Sequence, residues 1–206
     1  MEQTDGKVQV VVFDLNGTFY NKSSKDEFFK FVCSKKPQNA RFYFQMLYYK
    51  LLVKLHQVRQ TEFKENFFNY LDNIPPEQVE TYAREFWQKE YPENFNDEIK
   101  SRLDTLKKEG AEICCATGGL ELYVKPLFQL YPVDYLAGTR VTYVDNTYKV
   151  EGEACKDEEK LKRLEQHYDG RSITIIEAYS DSKEAILDKA KKAYLVKDGK
   201  ITPYEQ

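Results

Sequence analysis

Three apolar runs along this chain share one design. Residues 8–13 (VQVVVF), 111–116 (AEICCA) and 173–179 (ITIIEAY) each end in a polar cluster. The clusters are Asp14 to Thr18, Thr117-Gly118-Gly119 and Ser180-Asp181-Ser182. A short apolar run closed by a polar turn predicts a strand buried on both faces, the kind found in parallel α/β sheets. Ligands in such sheets sit beyond the carboxyl ends of the strands, so the three clusters are predicted to share one rim. A fourth run, 193–196, predicts another strand before the Asp198-Gly199 turn. The neighbours Cys114 and Cys115 should face opposite sides of their strand.

Between the first two strands the pattern changes period. Helices are predicted over 26–33, 41–59, 62–71 and 76–91, the last with Pro76 in its first turn. In the second, Phe44, Leu47, Leu51, Leu55 and Val58 recur at helical spacing. Residues 96–109 form a further helix that stops at Gly110. So long an insertion is no loop. The expected organisation is an α/β core with a Rossmann-like parallel sheet, built from 1–20 and 95–206, and a helical cap subdomain from 21–94. Helices are also predicted over 120–130 and in CKDEEKLKRLEQH (155–167). Residues 141–143 and 148–150 flank the turn 144–147, a predicted hairpin extending from the main sheet.

At 206 residues the chain fits one domain plus that insertion. A net charge of −3 argues against nucleic acid as the main partner. The charged fraction of 32% describes a soluble protein, and no apolar stretch is long enough to span a bilayer. The polar first residues do not form a signal peptide, so a cytoplasmic location is expected. Four cysteines without a C-x-x-C pair, and only two histidines, predict buried reduced thiols rather than a zinc site. Residues 42–53 are apolar almost all round, with Arg41, Lys50, Lys54 and Arg59 interrupting or flanking them. Two readings stand: a helix buried in the cap's own bundle, or one lying on the inner face of a membrane with its basic residues near lipid headgroups.

Taken by themselves, the polar residues offer both structural and chemical readings. Asp14 caps a turn, or it is a carboxylate nucleophile that divides phosphate ester hydrolysis into two easier steps. Thr117 is a helix N-cap, or its hydroxyl and the helix N–H groups face a phosphate oxygen. Gly119 fits close approach of backbone to ligand. Lys160, inside a run of charges, reads as a solvated cation.

Four stretches resemble the haloacid dehalogenase superfamily. VQVVVFDLNGTFY (8–20) resembles its first motif, a hydrophobic strand followed by D-x-D-G-T, with Asn16 in place of the second Asp. AYSDS (178–182) resembles the fourth motif, A-Y-G-D-S, and 155–160 resemble a C-x-G-x-x-K stretch with Asp157 for the glycine. Residues 134–155 are similar to the phosphoserine phosphatase-like group, whose members carry a helical cap. AYSDSK, ATGG and the aromatic, basic stretch 36–55 are similar to the phosphatidylglycerophosphatase C family, which acts on a lipid headgroup.

The resemblance implies Mg²⁺-dependent phosphomonoester hydrolysis through an aspartyl-phosphate, on a small-metabolite or lipid phosphate. It makes Asp14 the nucleophile and gives phosphate binding to Thr117, Gly118 and Lys160. Lys125 is a weaker candidate for the lysine's role, which is to offset repulsion between nucleophile and phosphate. The metal falls to Asp14, the backbone carbonyl of Asn16 and Asp181, an oxygen set suited to Mg²⁺. Position 16 is the acid/base position, and Asn16 cannot exchange a proton there. That loss costs about 10²–10⁴-fold in rate and is felt least in the first step with good leaving groups. Asn16 is an engineered change, a natural feature of a slow or specialised enzyme, or the mark of a pseudoenzyme. The family's further Asp, four residues after Asp181, is Ala185 here, which weakens support of the metal. Glu184, beside it, is expected to point elsewhere. The alternative is a non-catalytic phospholigand-binding or membrane-associated protein on the same fold.

Overall fold

The structure, a computed structural model, describes residues 7–42, 44, 47, 48, 51 and 67–205. Its centre is a six-stranded sheet in the order β3-β2-β1-β6-β7-β8. The strands are β1 (Val8–Phe13), β2 (Glu112–Leu120), β3 (Tyr135–Thr139), β6 (Ile173–Ser180), β7 (Lys192–Lys197) and β8 (Lys200–Pro203). All neighbours pair in parallel except β7 and β8. The four predicted runs are therefore four adjacent parallel strands.

Both faces of β1 are covered, which explains its unbroken apolar sequence. Val11 and Phe13 join one core cluster with Ile113, Cys115, Ile99 and Leu103. Val10 and Val12 join the other, with Cys114, Ala116, Leu164 and Ile186. Cys114 and Cys115 thus face opposite sides, and all four cysteines are free thiols.

Helices α1 (Ser24–Lys35), α2 (Pro76–Glu90) and α3 (Asp97–Lys108) lie between β1 and β2. Pro76 opens α2, where its missing N–H has no intrahelical partner to lose. Asn96 caps α3, its side chain accepting from the Ile99 N–H at 3.1 Å. Phe28, Phe86, Trp87 and Phe95 merge with the Phe13 cluster into one aromatic core. Of the predicted helix 41–59, Arg41 ends a 3-10 turn (Pro37–Arg41), Phe42, Phe44, Leu47, Tyr48 and Leu51 are helical, and the rest lies outside the described residues. Of 62–71, only 67–71 are described, and Asn69–Leu71 form a single 3-10 turn.

Three expectations change. The helix predicted over 120–130 is a four-residue α4 (Glu121–Val124) followed by a 3-10 turn, Lys125–Gln129. Pro126 explains the break, since it has no N–H to continue the α-helical ladder. The hairpin β4 (Val141–Val144) and β5 (Thr147–Val150) is a separate two-stranded sheet. Its turn residues Asp145 and Asn146 both have positive φ, as a two-residue hairpin turn requires. It docks on the 72–74 segment: Asn73 N–H donates to the Asn146 carbonyl, Thr147 to Asp72, and the Tyr148 hydroxyl to the Ile74 carbonyl. The third is β8, an added edge strand that follows the Asp198-Gly199 turn. The remaining helices are α5 (Glu158–Tyr168) and α6 (Ala185–Asp188).

Trp87 ties α2 to the core through its indole N–H, which donates to the Tyr123 carbonyl at 2.6 Å. Trp87→Phe keeps an aromatic ring but leaves that buried carbonyl unmet. A loss of about 1–3 kcal/mol is expected in urea unfolding, and an unchanged midpoint would show that the bond does not secure α2.

Candidate active site

The site forms where β2, β1 and β6 end side by side. Phe13 pairs with Cys115 on one side and Tyr179 on the other. The Asp14 N–H still donates to the Tyr179 carbonyl at 2.8 Å, so Asp14 is the point where the chain leaves the sheet. It then folds into a tight loop in which Gly17 N–H donates to Tyr20 and Tyr20 N–H to Leu15. Gly17 has φ +70°, and a Cβ there would lie 2.7 Å from Asp181 Oδ2. Glycine is required on both grounds, and its absent side chain lets the first loop touch the third.

Lys160 is the largest departure from the reading of its own segment. Its side chain is 2% exposed. The ammonium donates to Asp14 Oδ1 at 2.8 Å and to Glu184 Oε1 and Oε2 at 2.9 and 2.7 Å. Arg163, one turn further along α5, anchors the helix by donating to the carbonyls of Gly138 and Glu153. Burial works against the Lys160 charge, but the two carboxylates outweigh it and hold the ammonium above its ordinary range. Lys125 is exposed and starts the 3-10 turn, so Lys160 is the lysine at Asp14.

Glu184 does not point elsewhere. It is buried, held by Lys160 and by the Ser180 hydroxyl at 3.2 Å. Extended backbone at Glu184 (φ −144°, ψ 156°) turns its side chain inward just before α6 begins. A carboxylate one position before Ala185 thus supports the lysine. The expectation that it points away fails because one extended residue, which leaves no periodic signal, sets its direction.

Thr117 is fully buried inside β2 rather than at a helix N-terminus. Pairing of Leu120 with Thr139 carries the strand through Gly118 and Gly119, and the N-cap of α4 is Leu120. Gly119 is approached by Tyr123 and Val124: a Cβ would meet Val124 Cγ2 at 2.8 Å and the Tyr123 hydroxyl at 2.9 Å. The Gly118 carbonyl accepts from Thr139 at 3.1 Å. Asn16 links the first loop to α1 and β2, its Oδ1 accepting from Ser24 N–H at 2.7 Å and its Nδ2 facing Thr117 Oγ1 at 3.4 Å.

Asp181 stands at the mouth, lining a cleft of about 630 Å³ with Gly17, Asn21, Asn96 and the Asp198-Gly199 turn. Burial, then repulsion from Asp14, raises its pKa above the usual carboxylate range. Two carboxylates that repel would be relieved by a hard cation between them, such as Mg²⁺. No group of three His, Cys, Asp or Glu side chains suited to a metal occurs among the described residues. A metal here would rely on the main-chain carbonyl.

Lys160→Met would leave Asp14 and Glu184 facing one another without a cation. The expected loss is about 3–5 kcal/mol at neutral pH. Burial and repulsion from Asp14 already raise the Glu184 pKa, and losing the cation that opposes them raises it further, so the variant's stability should recover as pH falls. Urea midpoints at about pH 7.5 and about pH 5 read this out; a deficit that does not shrink in acid would contradict the charge balance.

The comparisons with known proteins agree with this layout. The family model for haloacid dehalogenase-like hydrolases matches residues 11–184. No curated protein matches the sequence. Solved structures share the fold. A protein with unknown function from Bordetella pertussis Tohama I is 16% identical, with a TM-score of 0.70 over 92% of this chain and 81% of that one. A phosphoserine phosphohydrolase-like protein from Francisella tularensis subsp. tularensis SCHU S4 is 19% identical, TM-score 0.62, over 90% and 86%. A phosphoserine phosphatase captured as a phospho-aspartyl intermediate analogue is 18% identical, TM-score 0.58, over 91% and 85%. At such identities the likeness is one of fold. With a matched span that runs from β1 to Glu184 and takes in all three strand ends, the chain belongs to the haloacid dehalogenase-like hydrolase family.

Proposed function

We propose that this hydrolase acts on phosphomonoesters with Mg²⁺, through an aspartyl-phosphate at Asp14. The observation that carries the reading is the buried Lys160–Asp14 contact at 2.8 Å, at the rim where Thr117, Asn16 and Asp181 meet. Lys160 occupies Asp14 Oδ1, which leaves Oδ2 for attack on phosphorus. Its charge, with Thr117, offsets the negative charge of the incoming phosphate and of the transition state. Asp14, Asp181 and the Asn16 carbonyl would hold the metal; when bound, Mg²⁺ supplies further positive charge against the phosphate oxygens. Gly118 would border the phosphate. Residues 21–94 are taken as a cap closing over this rim, with 1–20 and 95–206 as core.

Asn16 sets the rate. It can neither protonate a leaving oxygen nor accept a proton from water. Slow turnover of p-nitrophenyl phosphate with Mg²⁺ is expected from the chain as it stands, a rise of about 10²–10⁴-fold in Asn16→Asp, and none at all in Asp14→Asn. An Asp14→Asn chain as active as its parent would end the proposal.

One observation favours a lipid over a soluble phosphate. Phe44, Leu47, Tyr48 and Leu51, at helical spacing, are 77%, 44%, 57% and 54% exposed. An apolar stripe open to solvent, with Arg41 before it and Lys50 and Lys54 in sequence beside it, suits an interfacial helix on an anionic membrane rather than a buried one. No helix among the described residues is long and apolar enough to cross a membrane. Flotation with anionic vesicles is expected to carry the chain upward. A Leu47→Glu, Leu51→Glu variant should stay below, and a parent chain that also stays below would remove the lipid reading.

A further inference from the structure

We infer that α1, α2 and the 67–74 segment are a fixed wall of the site and not a hinged lid: they stay fastened to the core while ligands come and go. The inference deepens the reading of 21–94 as a cap, and it stands or falls without any turnover.

The described residues of the insertion are tied to the core at three places. The first is where the chain leaves the core and returns. Asn21 N–H donates to the Asn94 carbonyl and Asn96 N–H to the Phe19 carbonyl, both at 3.0 Å. The Tyr20 hydroxyl and the Lys22 ammonium both reach Glu90 Oε2, at 2.7 and 2.9 Å, which ties the end of α2 to the outgoing segment. These bonds alone would let the insertion swing about the paired connections.

The second place forbids that. Tyr123 of α4 is fully buried and grips both helices. Its ring stacks on Phe28 of α1 with centroids 4.9 Å apart, its hydroxyl lies 3.1 Å from Ser24 Oγ, and its carbonyl takes the Trp87 indole N–H of α2. The third place is the hairpin β4–β5, which enters the chain after β3 and straps 72–74 through Asn146, Thr147 and Tyr148. A swing about 21 and 94 would break both.

The apolar packing has no seam along which to part. Phe28, Phe68, Phe86 and Trp87 of the insertion share one cluster with Phe13, Phe19 and Leu127 of the core, and none of the four is more than 2% exposed. Bodies that move against each other meet across modest, polar surfaces, and a large apolar interface removes that freedom. Opening here would wet four aromatic rings and leave the buried Tyr123 carbonyl unmet, which is what unfolding does. Asp181 is exposed with the insertion in place, so the rim is reached without moving it. Selection by this wall then rests on a standing shape rather than on closure around the substrate.

Trp87 is the single tryptophan of the chain, and its indole N–H bond crosses the boundary in question. The test is hydrogen exchange followed by NMR on the full ¹⁵N-labelled chain, alone and with Mg²⁺ plus inorganic phosphate. The indole hydrogen is expected to be as protected as the backbone amides of β1, each referred to its own unprotected rate, and equally so with and without the additions. Thr147→Val combined with Tyr148→Phe removes the hairpin's side-chain bonds; the other two fastenings should keep the indole and β1 exchanging together in that variant. An indole hydrogen less protected than β1 by more than about tenfold, or one that gains its protection only when Mg²⁺ and phosphate are added, shows an opening insertion and overturns the inference. An indole and β1 that part company in the double variant show a lid held by the hairpin alone, which overturns it equally. A protected Trp87 in a chain without phosphatase turnover, Asn16→Asp included, ends the phosphatase reading and leaves the fixed wall standing.

Discussion

One buried ammonium serves two carboxylates. Lys160 sits between Asp14 and Glu184 with all three side chains almost entirely out of water. An isolated charge in such a place costs several kcal/mol, so each member of the trio depends on the others. The geometry that follows is rigid. Asp14 is held at one oxygen and presented at the other, α5 is held to the end of β3 by Arg163, and the chain after β6 must double back to deliver Glu184. The trio also carries a net negative charge at the floor of the site, to which Asp181 adds a further carboxylate. A site that already repels anions needs added positive charge before phosphate can enter, which is why a cation-dependent chemistry suits it.

What the sequence made legible was whatever burial writes into a continuous pattern. Residues 8–13, covered on both faces, could only be apolar, and the polar residues ending each run marked the rim. Residues whose environment comes from distant parts of the chain were harder. Lys160 lies in EEKLKRLEQH, where nearly every position is polar, and the one buried ammonium carries no local signature; its partner is 146 residues away. Glu184 had the same problem, compounded by a short extended step that no periodicity reports. The edge strand β8 was signalled by Asp198-Gly199, a dipeptide suited to hairpin turns, but KITP is short and ends in proline. At Thr117 the two glycines suggested a break, while pairing with β3 kept the strand going.

Asn16 illustrates how one atom exchanged for another changes the direction of a network rather than its existence. An amide and a carboxylate have the same shape, and the loop from Asp14 to Tyr20 accommodates either. The amide, however, is bipolar. It gives Ser24 an acceptor and Thr117 a donor at once, and so joins the start of α1 to β2 without a net charge.

The contact between Gly17 and Asp181 reaches beyond this molecule. Position 17 is closed to every other residue for two unrelated reasons, a left-handed backbone and a carboxylate where the first side-chain carbon would go. A lineage can exchange an amide for an acid at position 16 without touching this contact. It cannot drift at 17 while the third loop remains in place. That glycine is the fixed point around which the variable chemistry of the site is free to evolve.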